Sequence, residues 1–176
     1  MNLKKLVIAA VCTMLMAAVA FTAGCGGEKK SDKKVLKVGM ECAYAPYNWS
    51  QTKADGGAVK IAGSNEYAYG YDVMMAKKLA DSMGADLEIH KIEWDGLAPA
   101  VVSGKIDAAI AGMSITSKRK ETVDFTKPYY YATVVALVKK DSEQAKAQSV
   151  ADLKGSVATS QLNTIWYDQI DQVPDV

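Results

Sequence analysis

Short apolar runs of strand length alternate with helix-period segments from residue 35 onward, and this alternation limits the chain to a small set of folds. Val35–Met40 alternates apolar and polar residues as a strand does. A helix is predicted to follow between Asp72, as its N-cap, and Gly84, as its stop. Residues 106–111 form an apolar run typical of a strand buried on both faces of a parallel sheet. Strands that alternate with helices predict an α/β fold with right-handed crossovers.

The same patterns predict further elements on either side of that core. Residues 85–92 and 133–138 have strand character, and another strand is predicted to begin at Ser156. Residues 51–66 are rich in Gly, Ser, Asp and Asn, so we expect a surface excursion there with a hairpin around residues 55–57.

The first 25 residues have the pattern of an export signal. Lys4 and Lys5 precede an uncharged stretch at 6–21, and small residues at 22–24 lead to Cys25. The stretch has 16 residues, whereas a membrane-spanning helix needs about 20 apolar residues. Residues 1–24 are therefore predicted to be a cleaved signal peptide.

Cys25 and the residues after it indicate a lipid anchor. The segment Thr-Ala-Gly-Cys at 22–25 resembles a bacterial lipobox, whose cysteine is acylated and becomes the new N-terminus. Residues 25–34 are polar and begin with the lipidated Cys and two glycines, as a flexible tether would. The predicted location is the extracytoplasmic face of the cell membrane, in the periplasm or at the cell surface.

Charge and cysteine content exclude several classes of protein. Removal of Lys4 and Lys5 with the signal reduces the 21 basic residues to 19, against 20 acidic ones. No basic stripe remains for nucleic acid. Cys12 leaves with the signal and Cys25 carries lipid, so Cys42 has no partner for a disulfide framework.

Residues 111–119 are the segment with the clearest chemistry. They place a strand end, the hydroxyls of Ser114 and Thr116, a helix start and Arg119 together. Ligands of open α/β sheets bind beyond the carboxyl ends of strands, and Arg119 can clamp a carboxylate. Basic residues in a first helical turn oppose the helix dipole, however. These residues alone fit a capped surface helix at least as well as a carboxylate site.

Six segments, in their order and spacing, resemble the amino-acid solute-binding proteins of ABC importers, extracellular solute-binding protein family 3, over residues 35–176. The matching segments are VGMECAYAPY at 38–47, GYDV at 70–73, WDGLAPA at 94–100, SGKID at 103–107, GMSITSKR at 112–119 and VDFTKPY at 123–129.

The resemblance implies a periplasmic-binding-protein-like fold of type II, in which two α/β lobes close on one small ligand. The first lobe would comprise residues 35–133, and residues 134–176 would form part of the second. Only 37 residues follow Lys139, too few for a complete second lobe of the family. The sequence therefore predicts a C-terminally truncated protein that binds weakly or not detectably by itself.

The resemblance also implies how an amino acid would be held. Arg119 would bind the α-carboxylate, while Ser114 and the backbone at Gly112 and Thr116 would supply polar contacts. Thr164 would meet the carboxylate from the second lobe, with Asn163 in a left-handed conformation that glycine normally supplies.

Three further residues are expected to face the ligand. Tyr44 falls where an aromatic ring packs on the ligand, and Trp94 where a second apolar wall stands; both could instead be core residues. Glu41 could face a cationic ligand side chain, or it could cap a turn or pair with a lysine.

The function implied is that of a monomeric extracytoplasmic subunit that delivers an L-amino acid, polar or basic, to ABC permease subunits without a metal or cofactor. An enzyme with a catalytic triad or zinc is disfavoured, because His90 is the single histidine and no nucleophile signature surrounds it. Two alternatives remain open. One is a cyclohexadienyl-dehydratase-like hydro-lyase with Glu41 as general acid, and the other is a sensor domain of a longer receptor.

Overall fold

The computed structural model describes residues 33–176, which contain seven strands and four α-helices. The strands are β1 (Val35–Met40), β2 (Ala43–Tyr44), β3 (Asn48–Gln51), β4 (Val59–Lys60), β5 (Tyr67–Tyr69), β6 (Asp86–Lys91) and β7 (Ala108–Ala109). The helices are α1 (Tyr71–Met83), α2 (Leu97–Val102), α3 (Ser117–Lys120) and α4 (Ile165–Asp168). The predicted signal peptide and Cys25 lie outside the described residues. No helix within residues 33–176 is long and apolar enough to cross a membrane.

A three-stranded parallel sheet carries the core. β1 lies in the middle, with β6 on one side and β7 on the other, which confirms the predicted α/β architecture. β7 is only two residues long, shorter than the predicted strand at 106–111. The backbone N–H of Asp107 donates to the carbonyl of Lys37 at 2.9 Å, and the side chain of Asp107 accepts from the N–H of Lys37 at 2.8 Å. These two hydrogen bonds join the residue before β7 to β1, where the regular pairing of the two strands has not yet begun.

The core consists of alternate residues of β1 and the side chains that cover them. Val38 and Met40 are fully buried together with Ile61, Ile89 and Leu97. Complete burial of each such side chain stabilises the fold by about 1.5 to 3 kcal/mol. Helix α1 contributes Val73, Ala76 and Ala80 to the same cluster, and their small size lets the helix approach the sheet closely.

A second, antiparallel sheet has the order β2-β3-β5-β4. The predicted hairpin around residues 55–57 is wrong, because Asp55–Gly57 forms a 3-10 turn and β3 and β4 each pair with β5 instead of with one another. β5 is one of the two inner strands, and its Ala68 is completely buried. A parallel bridge between Ile61 and Ile89 joins the two sheets.

Helix α1 ends as predicted and begins differently. Gly84 follows the last turn in a left-handed conformation, with φ of 62°. The predicted cap Asp72 lies inside the first turn and is fully buried, while Gly70 precedes the helix. Gly70 has φ of 125°, and a Cβ atom there would lie 2.3 Å from the carbonyl oxygen of Tyr47. The close approach of the two backbones, which glycine alone permits, therefore decides where the helix starts.

The strands predicted at 133–138 and from Ser156 are wrong. Residues 121–164 contain no strand, and their regular structure consists of 3-10 turns at Glu143–Lys146 and Val150–Leu153. Val135 and Val157 are 79% and 102% exposed. β-branched residues favour a strand only where a neighbouring strand pairs with them, and within residues 33–176 no strand does so.

Replacement of Gly70 by alanine is expected to destabilise the protein by about 2 to 4 kcal/mol, because it combines a left-handed backbone with a clash against the Tyr47 carbonyl. Gly63→Ala is the matched control. Gly63 also has positive φ, of 70°, but open space around it, so about 1 kcal/mol is expected. Urea unfolding of both variants measures the difference, and equal losses would show that the Tyr47 contact is unimportant.

Candidate functional site

The loops that follow the parallel strands meet at one edge of the sheet. Glu41 and Tyr44 follow β1, Trp94 follows β6, and Gly112 and Ser114 follow β7. Because the carboxyl ends of parallel strands lie at the same edge, these five residues come together there.

Seven of the eight predicted ligand-binding residues line one small cavity of about 30 Å³. They are Glu41, Tyr44, Trp94, Gly112, Ser114, Arg119 and Thr164. The eighth, Thr116, does not line it; its hydroxyl caps α3 by accepting from the backbone N–H of Arg119 at 3.2 Å. Four residues that were not predicted complete the wall, namely Ala111, Gln161, Ile165 and Trp166.

Arg119 is the cation of this cavity. Its guanidinium donates to the carbonyl of Ser114 at 2.7 Å and to the carbonyl of Asn163 at 2.9 Å, and it lies 5.3 Å from the centre of the Trp94 ring. Burial lowers the pKa of Arg119, and nearby Asp168 acts in the opposite direction. Arginine nevertheless stays charged in proteins. Of its five N–H donors, two are used by these hydrogen bonds within the described residues, so others remain for an anion.

Helix α3 itself contributes little to anion binding. It has four residues, a single turn, so its dipole is small compared with that of a longer helix. The guanidinium of Arg119 is therefore the main attraction for a carboxylate at this edge.

The segment 161–163 covers the cavity from the other side. Gln161 donates to the carboxylate of Glu41 at 2.9 Å, and the amide of Asn163 donates to Asp95 at 2.9 Å. The carbonyl of Asn163 accepts from both Arg119 and the indole N–H of Trp94, the latter at 3.0 Å. Asn163 has φ of 59°, which confirms its predicted left-handed backbone.

Thr164 is buried, and its hydroxyl is already used. The hydroxyl donates to the carbonyl of Gln161 at 2.6 Å and accepts from the backbone N–H of Tyr167 at 3.2 Å, as the cap of α4. A contact with a ligand would therefore come from its backbone N–H, which makes no hydrogen bond within residues 33–176.

Of the two predicted aromatic walls, Tyr44 lies outside the core, whereas Trp94 is half-buried and packs against it. Tyr44 is 36% exposed and stacks on Tyr47 with ring centres 4.9 Å apart. A Cβ atom at Gly112 would lie 3.2 Å from the Tyr44 ring, so the glycine lets ring and backbone approach. The small cavity shares Tyr44 and Trp166 with a larger one of about 270 Å³, which seven aromatic residues line in part.

A chain of hydrogen bonds centred on the buried Asp72 was not predicted. Asp72 accepts from Asn48 and from the hydroxyl of Tyr129, both at 2.7 Å, and that hydroxyl accepts from the N–H of Gly112 at 3.1 Å. Burial raises the pKa of Asp72, while its two hydrogen bonds lower it in part. Helical spacing could have indicated Asp72, because it shares the buried face of α1 with Ala76 and Ala80.

The family model for bacterial extracellular solute-binding proteins, family 3, matches residues 36–173. The chain belongs to this family. Three of the six segments that carry the resemblance in the sequence, those at 38–47, 94–100 and 112–119, contribute residues to the cavity.

Individual members of the family are also similar to this chain in sequence and in structure. The arginine-binding extracellular protein ArtP of Bacillus subtilis is 31% identical over 163 residues, which are 93% of this chain and 58% of that protein. An ancestral arginine-binding protein bound to arginine is 33% identical with a TM-score of 0.65, over 80% of this chain and 56% of that one.

A third protein bears on the enzymatic alternative. It is an ancestral amino acid-binding protein described as a precursor of cyclohexadienyl dehydratase, 34% identical with a TM-score of 0.66, over 80% of this chain and 58% of that one. The likeness to these structures confirms the type II periplasmic-binding fold. The chain spans less than two thirds of the length of each of these three proteins.

Cys42 lies between β1 and β2, and its thiol is expected to be unreactive in the folded protein. Burial raises its pKa to about 11, partly offset by Lys91. At pH 8 only about one thiol in a thousand is then ionised, and the thiolate is the reactive form. Iodoacetamide should label Cys42 at least about 100-fold more slowly in the native chain than in urea.

Peptide mass spectrometry measures this labelling at Cys42 itself. The folded state retains the thiol proton, so stability should fall as pH rises from 9.0 toward about 11. Equal labelling rates in buffer and in urea would contradict the burial of the thiol.

Proposed function

We propose that this chain binds a free L-amino acid through its α-carboxylate, as part of the substrate-binding subunit of an ABC importer. The observation that carries the proposal is the position of Arg119, a half-buried cation against Trp94 at the edge where the strand loops meet. A charged guanidinium in a partly desolvated cavity favours a carboxylate strongly.

The carbonyl oxygen of Asn163 lies beside Arg119 at a position that a ligand oxygen could take. It accepts from Arg119 and from Trp94, which a carboxylate oxygen could do as well. The hydroxyl of Ser114 makes no hydrogen bond within the described residues and lines the same cavity. It can therefore contact a bound amino acid, as the family resemblance implies.

Binding requires the segment 161–163 to withdraw first. The cavity of about 30 Å³ has room for roughly one water molecule, so an amino acid cannot enter while Gln161 and Asn163 remain docked. We assign residues 35–133 to the first lobe and residues 134–176 to the second. Segment 161–163 would then move away from the cavity when the lobes open and return to it when they close.

A polar or basic amino acid is the proposed ligand class. Glu41 lies at the cavity and offers a carboxylate to a cationic side chain once Gln161 releases it. Tyr44 and Trp94 offer ring faces, which attract guanidinium and ammonium groups. The names of the relatives, an arginine-binding protein and a structure with bound arginine, agree with this choice, so L-arginine is the first probe.

We propose that the protein is not an enzyme. A carboxyl that serves as general acid at neutral pH is typically held in apolar surroundings, whereas Glu41 is half-buried and accepts a hydrogen bond from Gln161. A dehydration assay with prephenate decides the matter, since measurable turnover would favour the hydro-lyase alternative.

We further propose that residues 1–24 are removed on export and that acylated Cys25 holds a monomer at the membrane beside its permease. The support is the sequence of residues 4–25 and the family, whose members are described as extracellular. A tethered receptor stays close to the permease subunits that it supplies.

Arg119→Ala is expected to raise the Kd for L-arginine by about 30-fold to several thousandfold, because removal of one partner of a buried charge pair costs about 2 to 5 kcal/mol. Lys118→Ala is the control, since Lys118 is the exposed basic neighbour. Calorimetry with L-arginine and L-argininamide, in which the carboxylate is blocked, measures the effect. Unchanged affinity of Arg119→Ala for every amino acid tested would exclude the carboxylate site.

Cys25→Ser is expected to move the protein out of the membrane fraction, because the acyl chains that anchor it can no longer be attached. Cys12→Ser, within the predicted signal, should leave the protein at the membrane. Fractionation and mass spectrometry of the mature N-terminus measure both. An unmodified Cys25 in the wild-type chain would refute the anchor.

A further inference from the structure

Two loops of the candidate site come from different strands and share no backbone hydrogen bond among the described residues. The segment after β1 carries Glu41 and, in the two-residue strand β2, Tyr44, and the loop after β7 carries Gly112 and Ser114. Their relative position decides whether the groups that face a ligand are correctly spaced.

A continuous chain of buried and half-buried hydrogen bonds connects these loops through Asp72. The N–H of Cys42, in the first loop, donates to the side-chain oxygen of Asn48 at 2.8 Å, and the amide nitrogen of Asn48 donates to Asp72 at 2.7 Å. On the other side the Tyr129 hydroxyl donates to Asp72 at 2.7 Å and accepts from the N–H of Gly112 at 3.1 Å. Asp72 is thus the centre of the chain, and one loop lies at each end.

The chemistry of this chain requires a carboxylate at its centre. Asn48 and Tyr129 both approach Asp72 as donors, one to each oxygen. A carboxylate accepts at both oxygens, whereas an amide would present one acceptor and one donor. Asp72 is completely buried, so a mismatched group there has no water with which to pair.

The backbone at the first loop also depends on this chain. Cys42 has φ of 57°, a left-handed conformation that is unfavourable for a residue with a side chain. The hydrogen bond from its N–H to Asn48 fixes that conformation, and Asn48 is oriented by Asp72.

We propose that Asp72, acting through Asn48 and Tyr129, is the positioning residue of the binding site. It holds the loops after β1 and β7 at a fixed spacing before a ligand arrives. None of the three residues lines the small cavity, although Tyr129 lines the larger one beside it; their hydrogen bonds to the two loops are made at Cys42 and Gly112. Only the affinity measurement in this proposal rests on the proposed function, because the spacing of the loops can be measured without a ligand.

Tyr129→Phe in the full chain tests the proposal with the smallest change, because the ring and its stacking on Tyr71 are kept. Tyr130→Phe is the matched control, since the Tyr130 ring lies edge-on against Tyr47, with ring centres 5.3 Å apart, and the chain through Asp72 uses the hydroxyl of Tyr129. Amide hydrogen exchange by NMR should show Gly112 exchanging at least about tenfold faster in Tyr129→Phe and unchanged in Tyr130→Phe. Calorimetry should show the Kd for L-arginine raised about tenfold in Tyr129→Phe, the size of one lost hydrogen bond, and less than twofold in the control.

Asp72→Asn supplies a second, independent readout. It should speed amide exchange at Cys42 and at Gly112 together, because both ends of the chain depend on the one carboxylate. The double variant Asp72→Asn, Tyr129→Phe should bind L-arginine no more weakly than Asp72→Asn alone, because Tyr129 is proposed to act through Asp72.

The outcomes separate the proposals. Unchanged exchange at Gly112 in Tyr129→Phe overturns the positioning role whether or not a ligand binds, and so does additive loss of affinity in the double variant. A lower thermal midpoint with unchanged Gly112 exchange and unchanged affinity would mean that Tyr129 only stabilises the fold. If the wild-type chain binds no amino acid, the proposal that this chain binds by itself fails, as the expectation of a truncated protein allows, and exchange at Cys42 and Gly112 still decides the role of Asp72.

Discussion

Parallel pairing of β1 with β6 on one side and with β7 on the other determines where the chemistry of this protein lies. Each strand ends in a loop with polar or aromatic residues, and parallel strands bring three such loops to one edge. Antiparallel pairing would send alternate loops to opposite edges. The buried residues of β1 and β6, such as Val38 and Ile89, hold the strands together, so the hydrophobic core positions the site.

The charge of Arg119 is balanced by dipoles and rings instead of by a directly bonded carboxylate. Carbonyls of Ser114 and Asn163 accept from it and the Trp94 ring lies beside it. Neutral partners stabilise a guanidinium less than an anion does. The arrangement therefore keeps a cation in a partly buried place with N–H donors left for an anion.

Buried polar groups give the site its shape. Asp72 has no exposed surface, and its oxygens are satisfied by Asn48 and Tyr129. A hydrogen-bonded carboxylate in such a place specifies one arrangement of its neighbours, because any other arrangement leaves it unpaired. The Gly70 approach to Tyr47 has a comparable effect on the start of α1. Both features lie behind the cavity, and both constrain the loops that line it.

The sequence by itself determined the alternation of strands and helices, the stop at Gly84, the left-handed Asn163 and seven of the residues that line the cavity. Those features follow from local periodicity, from turn chemistry and from the resemblance to a family. The tertiary structure alone decided the roles of Asp72, Tyr129 and Gln161, because their partners are 24 to 120 residues away in the chain. The tertiary structure also decided that residues 133–138 form no strand. A strand needs a neighbouring strand to pair with, and a local sequence pattern does not show whether one is present.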